Sequence, residues 1–196
     1  MATISKALKA EISDNICQGD VFTDVQYIYI DSQDNNNIEI VEFVFPMAII
    51  ISQACDVISM GKMIISQSGK ATKFMPSILM CPIYDYTVAK KTEHLDDAFE
   101  KLYLLKTDGD NANLFKSEEF KVAKNDWHYR YHSLTVEANE KTILENAIID
   151  FKHYFTVPAS YLMKNRERRI FRIDDLYAEQ ITLKFSTYLS RVAIPD

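Results

Sequence analysis

The stretch from Pro46 to Asp56, PMAIIISQACD, constrains this chain more than any other. It is an apolar run, Met47 to Ile51 with three successive isoleucines, that ends abruptly in Ser52, Gln53, Ala54, Cys55 and Asp56. A continuous run rich in β-branched residues suits a strand covered on both faces rather than one with a wet side. The polar cluster behind it carries a thiol beside a carboxylate at the strand's end, which is where a site would stand.

Around that strand the patterning is mostly β. Ile4, Leu8, Ile12 and Ile16 recur every four residues, so residues 4 to 16 are expected to form a short amphipathic helix. Gln18-Gly19-Asp20 breaks it and opens a strand from Val21 to Ile30. The Asp- and Asn-rich stretch 31–37 is a turn, and strands follow over 38–45 and 47–52, with Pro46 as a bend or bulge between them. Residues 55–67 fit a short helix or a hairpin arm, and residues 77–88 a strand interrupted at Pro82. Residues 90–146 turn polar, with Leu95, Phe99, Leu102 and Tyr103 on one helical face, and read as a helical insertion. Strands return over 148–154, 156–162 and 170–173. Asp174 and Asp175 then cap a final helix whose buried stripe is expected to hold Leu176, Ile181, Leu183, Phe185, Tyr188, Leu189 and Val192. Five or six strands with short turns describe a single domain over 1–196, mainly β with helices, as a small, partly open barrel.

Composition narrows the function classes. The net charge of −6 gives no overall pull toward nucleic acid or an anionic membrane. The charge is uneven, however: residues 151–196 hold 8 Lys and Arg against 5 Asp and Glu, whereas the first 150 residues hold 14 against 23. A phosphate-seeking surface is therefore expected from Lys164, Arg166, Arg168, Arg169 and Arg172. No apolar stretch nears the roughly 18 residues that cross a bilayer, so no membrane partner is expected. The N-terminal residues lack a leader pattern, and three widely spaced cysteines, Cys17, Cys55 and Cys81, read as reduced thiols of a cytoplasmic protein. No phosphate-loop, dinucleotide-binding or zinc-protease motif is present, so the reading includes no cofactor and no metal.

Two further constellations stand out. Cys55 and Asp56 are candidate catalytic residues, but an active thiolate needs a histidine or comparable partner, and His94, His128, His132 and His153 are all distant in sequence. The simpler expectation is that Ser52, Gln53 and Asp56 tie a turn while Cys55 fills a small buried slot. Trp127-His128-Tyr129-Arg130-Tyr131-His132 interleaves rings and cations, as single-stranded RNA recognition requires. Its competing reading is a strand-like anchor for the insertion. His128 and His132 also stand at a helical i, i+4 spacing that a metal could use, with no third ligand evident.

Gln18-Gly19-Asp20-Val21-Phe22, the run Ile49 to Asp56, Leu79-Met80-Cys81-Pro82-Ile83 and Ser190-Arg191-Val192-Ala193-Ile194-Pro195 together resemble a group of bacterial proteins marked by an ISQ-x-CD run. That group is distantly similar to the MazF/PemK toxin superfamily. The resemblance implies an SH3-like barrel with N-terminal, inserted and C-terminal helices, in a superfamily whose active members cut mRNA. Those toxins place an Arg before the second barrel strand and a Ser or Thr at the end of the third. This chain has Phe43, Val44 and Phe45 at the first place, and Ile83 and Tyr84 at the second. Stabilising a pentacoordinate phosphate needs a cation.

The expectation is accordingly a non-catalytic interaction or regulatory module of a toxin or phage-defence system. Its partner would be a protein or a nucleic acid, with a homodimer also compatible. Candidate binding residues are Ser52, Gln53, Trp127, Tyr129, Arg130, Arg166, Arg168 and Arg169. An endoribonuclease relative of the toxins, with His128 as a catalytic candidate, stands second. A cysteine hydrolase using Cys55 stands third.

Overall fold

A computed structural model describes residues 4–8, 15–34, 37–67, 73–85 and 128–191. The described residues are mainly β: eight strands, three α-helices and two 3-10 turns. The strands are β1 (Ile4–Leu8), β2 (Asp20–Asp34), β3 (Asn37–Ile50), β4 (Ser77–Asp85), β5 (Tyr131–Ala138), β6 (Lys141–Asp150), β7 (Phe155–Pro158) and β8 (Arg169–Ile173). The helices are α1 (Ala54–Ser66), α2 (Ala159–Lys164) and α3 (Asp175–Leu189). Pairing runs in the order β3-β2-β8-β1-β5-β6-β4-β7, and β4 pairs in addition with β3. All pairs are antiparallel except β1 with β5, which makes the sheet mixed.

Both faces of this sheet are covered, and consecutive residues serve opposite sides. Val21, Ile49, Ile51 and Cys81 pack with Ala178, Ile181 and Phe185 of α3. Their neighbours Phe22, Ala48, Ile50 and Met80 pack with Val57 and Met60 of α1 and Leu162 of α2. Period-two side-chain direction under two covers is what turns the sequence here into unbroken apolar runs.

Several expectations give way. Residues 4–8 are strand β1, not the start of a helix, because they pair with both β5 and β8; residues 9–14 lie outside the described residues. Pro46 does not divide β3. Across from it Asp24 leaves the regular ladder with φ of 50°, and its carbonyl accepts a hydrogen bond from the Arg168 guanidinium at 2.7 Å. Pro82 does not interrupt β4 either. It lies between residues 77–80, which pair with β7, and residues 83–85, which pair with β6, so its missing N–H falls where one edge changes partner.

Residues 131–146, expected within the helical insertion, form β5 and most of β6. Residues 131–134 are buried in succession, which hides their alternation. The hairpin turns at Asn139 and Glu140, both at positive φ, a two-residue turn whose second position usually carries glycine. The helix expected around Leu95, Phe99, Leu102 and Tyr103 lies outside the described residues. Residues 151–153 form a 3-10 turn rather than strand, and the strand expected over 156–162 gives way to α2 after Pro158. In α3 the buried residues are Ala178, Ile181 and Phe185, whereas Leu176, Leu183 and Leu189 are exposed. Asp174 caps α3, accepting from the Leu176 N–H at 3.2 Å. Among the described residues no helix is long and apolar enough to cross a membrane.

Candidate functional site

The Gly19-Asp20 pair sits where β2 begins under α3. Gly19 has φ of 82°, and a Cβ there would lie 2.9 Å from the Ala178 Cβ and 3.0 Å from the Ile173 carbonyl oxygen. Only glycine combines that backbone shape with so close an approach. Its N–H donates to Ile50 and its carbonyl accepts from Ile173, tying β3 to β8. Asp20 is fully buried. It accepts from the Cys17 N–H at 2.7 Å, from Arg172 Nε at 2.7 Å and from Arg169 Nη1 at 3.0 Å. Both arginines also donate to the Asn15 carbonyl, at 3.0 and 2.7 Å.

This arrangement redirects the basic segment. Arg169 is buried and directed inward to Asp20, and Arg168 reaches back to the Asp24 carbonyl, so neither stands as an open phosphate ligand. Arg166 is half-buried and Lys164 exposed. The carboxylate that gathers the arginines is 149 positions from Arg169, not the neighbouring Glu167, Asp174 or Asp175.

The Ser52 to Asp56 cluster ties the start of α1 to the sheet. Ser52 Oγ accepts from the Leu79 N–H at 2.9 Å, and Gln18 bridges, accepting from the Ala54 N–H at 3.2 Å and donating to Thr182 of α3 at 2.6 Å. Gln53 is exposed at the N-cap and supplies no side-chain cap. Cys55 does not fill a buried slot: it is exposed on the first turn of α1, its Sγ 3.7 Å from Asp56 Oδ1 and 4.0 Å from Gln53 Oε1. The helix turns Val57 and Met60 inward and leaves the first-turn thiol outside. Neither of those contacts is a histidine or a cation that would favour the thiolate. The buried thiols are the other two, Cys17 and Cys81, and burial pushes both upward in pKa.

Residues 128–132 approach the base of the β5–β6 hairpin and do not form a helix, so His128 and His132 lose the i, i+4 relation; His132 is buried in β5 while His128 is half-buried outside it. Among the described residues no three His, Cys, Asp or Glu side chains gather as a metal site requires. Trp127 lies outside the described residues. Next to this segment stands a cluster that sequence reasoning missed. Asp150, fully buried at the end of β6, takes two parallel hydrogen bonds from Arg130, at 2.8 and 2.6 Å, and a third from the Lys152 N–H at 3.0 Å. His153 presents Nδ1 to Asp150 at 3.1 Å and Nε2 to Arg130 at 3.4 Å.

That geometry suits a neutral imidazole, with Nδ1–H donating to the carboxylate and Nε2 accepting from the guanidinium. Burial lowers the His153 pKa and the Arg130 charge lowers it further, outweighing the upward pull of Asp150. Tyr84, with its hydroxyl 3.5 Å from His153 Nδ1, is held well above the usual phenol range by burial. The available signal was that Asp150 closes the apolar run Ala147 to Ile149, just as Asp20 precedes Val21 and Phe22. An acid abutting a covered strand needs a cation nearby.

On the outside of this cluster lies an open groove of about 380 Å³, lined by His128, Tyr129, Gln180, Leu183, Lys184 and Thr187. Tyr129 is 46% exposed; the His128 ring stacks near it at 4.5 Å, and the Arg191 guanidinium lies 3.3 Å from its centroid. Tyr188 lies parallel to Tyr129 at 6.4 Å. The arrangement combines flat π faces, a stacked cation and a Lys on one surface. Comparison with protein-family models, curated proteins and solved structures finds no match.

Proposed function

We propose that this chain is a non-catalytic interaction module that binds single-stranded nucleic acid along the groove between residues 128–130 and α3. The observation that carries the reading is Tyr129, half exposed and faced by both His128 and Arg191, with Lys184 on the same groove. Bases stack on aromatic rings and guanidinium planes, and a nearby cation attracts the backbone, without any need for sequence readout. The setting in a toxin or phage-defence system rests on the resemblance of the Gly19-Asp20, Ser52 to Asp56 and Leu79 to Ile83 motifs. The return of β4 to β3 supports the barrel part of that likeness.

A non-catalytic role is favoured over RNA cleavage because the best-built acid–base cluster is internally satisfied. Arg130 is engaged by Asp150, and His153 Nε2 faces Arg130 rather than an open site. The test is fluorescence anisotropy with a fluorescein-labelled uridine oligomer of about 12 nucleotides, within the usual single-strand site size. Binding should weaken as salt rises and fall about tenfold in Tyr129→Ala or Arg191→Ser. Absence of binding at low salt, or binding indifferent to both changes, overturns the reading. Fragmentation of the RNA by wild type but not by His128→Ala would instead favour the nuclease.

A further inference from the structure

We propose that the outer face of the β2–β3 hairpin is a docking surface for a protein partner that presents a basic, strand-forming segment with alternating apolar residues. β8 covers the free edge of β2 only at residues 20–22, and β4 covers that of β3 only at residues 48–50. Beyond them, among the described residues, the two strands pair as a ladder with each other alone. On the β2 edge the Asp24 carbonyl accepts from Arg168 at 2.7 Å and the Gln26 N–H donates to the Tyr161 hydroxyl at 3.0 Å, so the open edge of β2 begins past Gln26. One face of this arm rests on the body, with Val25 buried and Tyr27 and Phe45 packed against Phe155. The opposite face is open: Ile28 is 59% exposed, Ile30 62%, Ile40 65% and Val44 49%. Cross-strand pairing of Ile30 with Ile40, and of Ile28 with Glu42 beside Gln26 and Val44, joins them into one patch.

Two-stranded ribbons with apolar residues on both faces are not left uncovered without reason. Charge selects the occupant. Residues 24–47 contain Asp24, Asp31, Asp34, Glu39 and Glu42 and no Lys or Arg. A second copy would set the exposed Asp24 and Glu42 against their own kind, and a nucleic acid or anionic bilayer would be repelled in the same way. A strand carrying Lys or Arg between apolar residues fits the edge hydrogen bonds, the isoleucine patch and the charge together. This surface lies apart from the groove at Tyr129 and stands or falls independently of it.

The experiment titrates the full chain with a labelled octapeptide of alternating Lys and Val, alongside alternating Lys/Ser and Glu/Val controls. The Lys/Val peptide should bind about tenfold or more tightly than either control and weaken with salt. Ile28→Thr with Val44→Thr should weaken it by about tenfold, as should Asp24→Asn with Glu42→Gln, while RNA binding and circular dichroism stay unchanged. Conversely, Tyr129→Ala should leave peptide binding intact. Equal affinity for the Lys/Ser peptide, or indifference to the Ile28 and Val44 changes, overturns the proposal. So does a wild-type dimer in sedimentation that those two changes dissociate, since the occupant would then be a second copy.

Discussion

In the body of the sheet, Asp20 and Asp150 are each closed off by arginine and by backbone N–H groups, so the most polar side chains face inward and are satisfied there. In the arm beyond Thr23 and Met47 the arrangement is reversed, and the isoleucines face outward. Charge alone is thus a poor guide to a binding surface in this molecule. Arg130, Arg168 and Arg169, which look available in the sequence, are consumed by structure, while the arm's apolar face and the groove beside Tyr129 stay open. The contrast makes quantitative demands on both regions.

The largest effect should come from Asp20→Asn. Removing one member of a buried ion pair leaves the Arg169 charge uncompensated, which costs about 3–5 kcal/mol. For a domain of this size that is a fall in Tm on the order of 10 °C, readable by calorimetry. A loss of under about 1 kcal/mol would mean that the body is not held by its inward charges. Gly19→Ala comes next. The left-handed backbone and the close Ala178 contact together predict a loss of about 2–4 kcal/mol, measured by urea unfolding.

Acid should act through His153. Unfolded, the imidazole titrates near about pH 6.5; folded, burial and Arg130 hold its pKa lower. Below the unfolded value the unfolded chain therefore binds more protons, and stability falls with pH until the native value is passed. Above pH ~6.5 this group contributes no slope. His153→Gln should flatten the fall in chemical-denaturation curves compared at successive pH values. An unchanged slope would show that the Asp150 cluster does not hold the ring neutral.

The smallest effect on stability should come from the arm. Ile28→Thr and Val44→Thr alter exposed side chains and should each shift stability by no more than about 0.5 kcal/mol. A loss several times larger would mean that the arm's outer face is already covered, and would erase the contrast with the body.

How much of this was legible in the sequence follows the same division. The covered strand through Ile49 and Ile50 and the Asp174 cap of the last helix could be read locally, because apolar continuity and capping are short-range signals. The special status of Gly19 was visible as a break, but its reason, the close approach of Ala178, was not. β1 was misread because isoleucine and leucine four residues apart also fit one face of a strand. The turn at Asn139-Glu140 lacked the glycine that would have announced a hairpin. The partners of Arg169 and Arg130 are chosen by strand register, which no local pattern encodes. Cys55 shows the opposite error, a residue type that is usually buried standing exposed because it falls on the outer side of a helix's first turn.

The position of β1 has a consequence for how the chain is made. This first described strand lies between β5 and β8, pairing Ile4 with Thr135 and Ala7 with Ile173. During synthesis neither neighbour exists until well over a hundred further residues have been added, since β1 ends at Leu8 and β5 begins only at Tyr131. At about 5–20 residues per second the wait is on the order of ten seconds. The β2–β3 hairpin, by contrast, closes on itself over a short loop and can form early. A nascent chain would therefore display a finished arm, with its isoleucines exposed, while the strand that completes the sheet is still waiting for a partner. That interval is when a chaperone, or a binding partner made at the same time, has the most to gain by covering it.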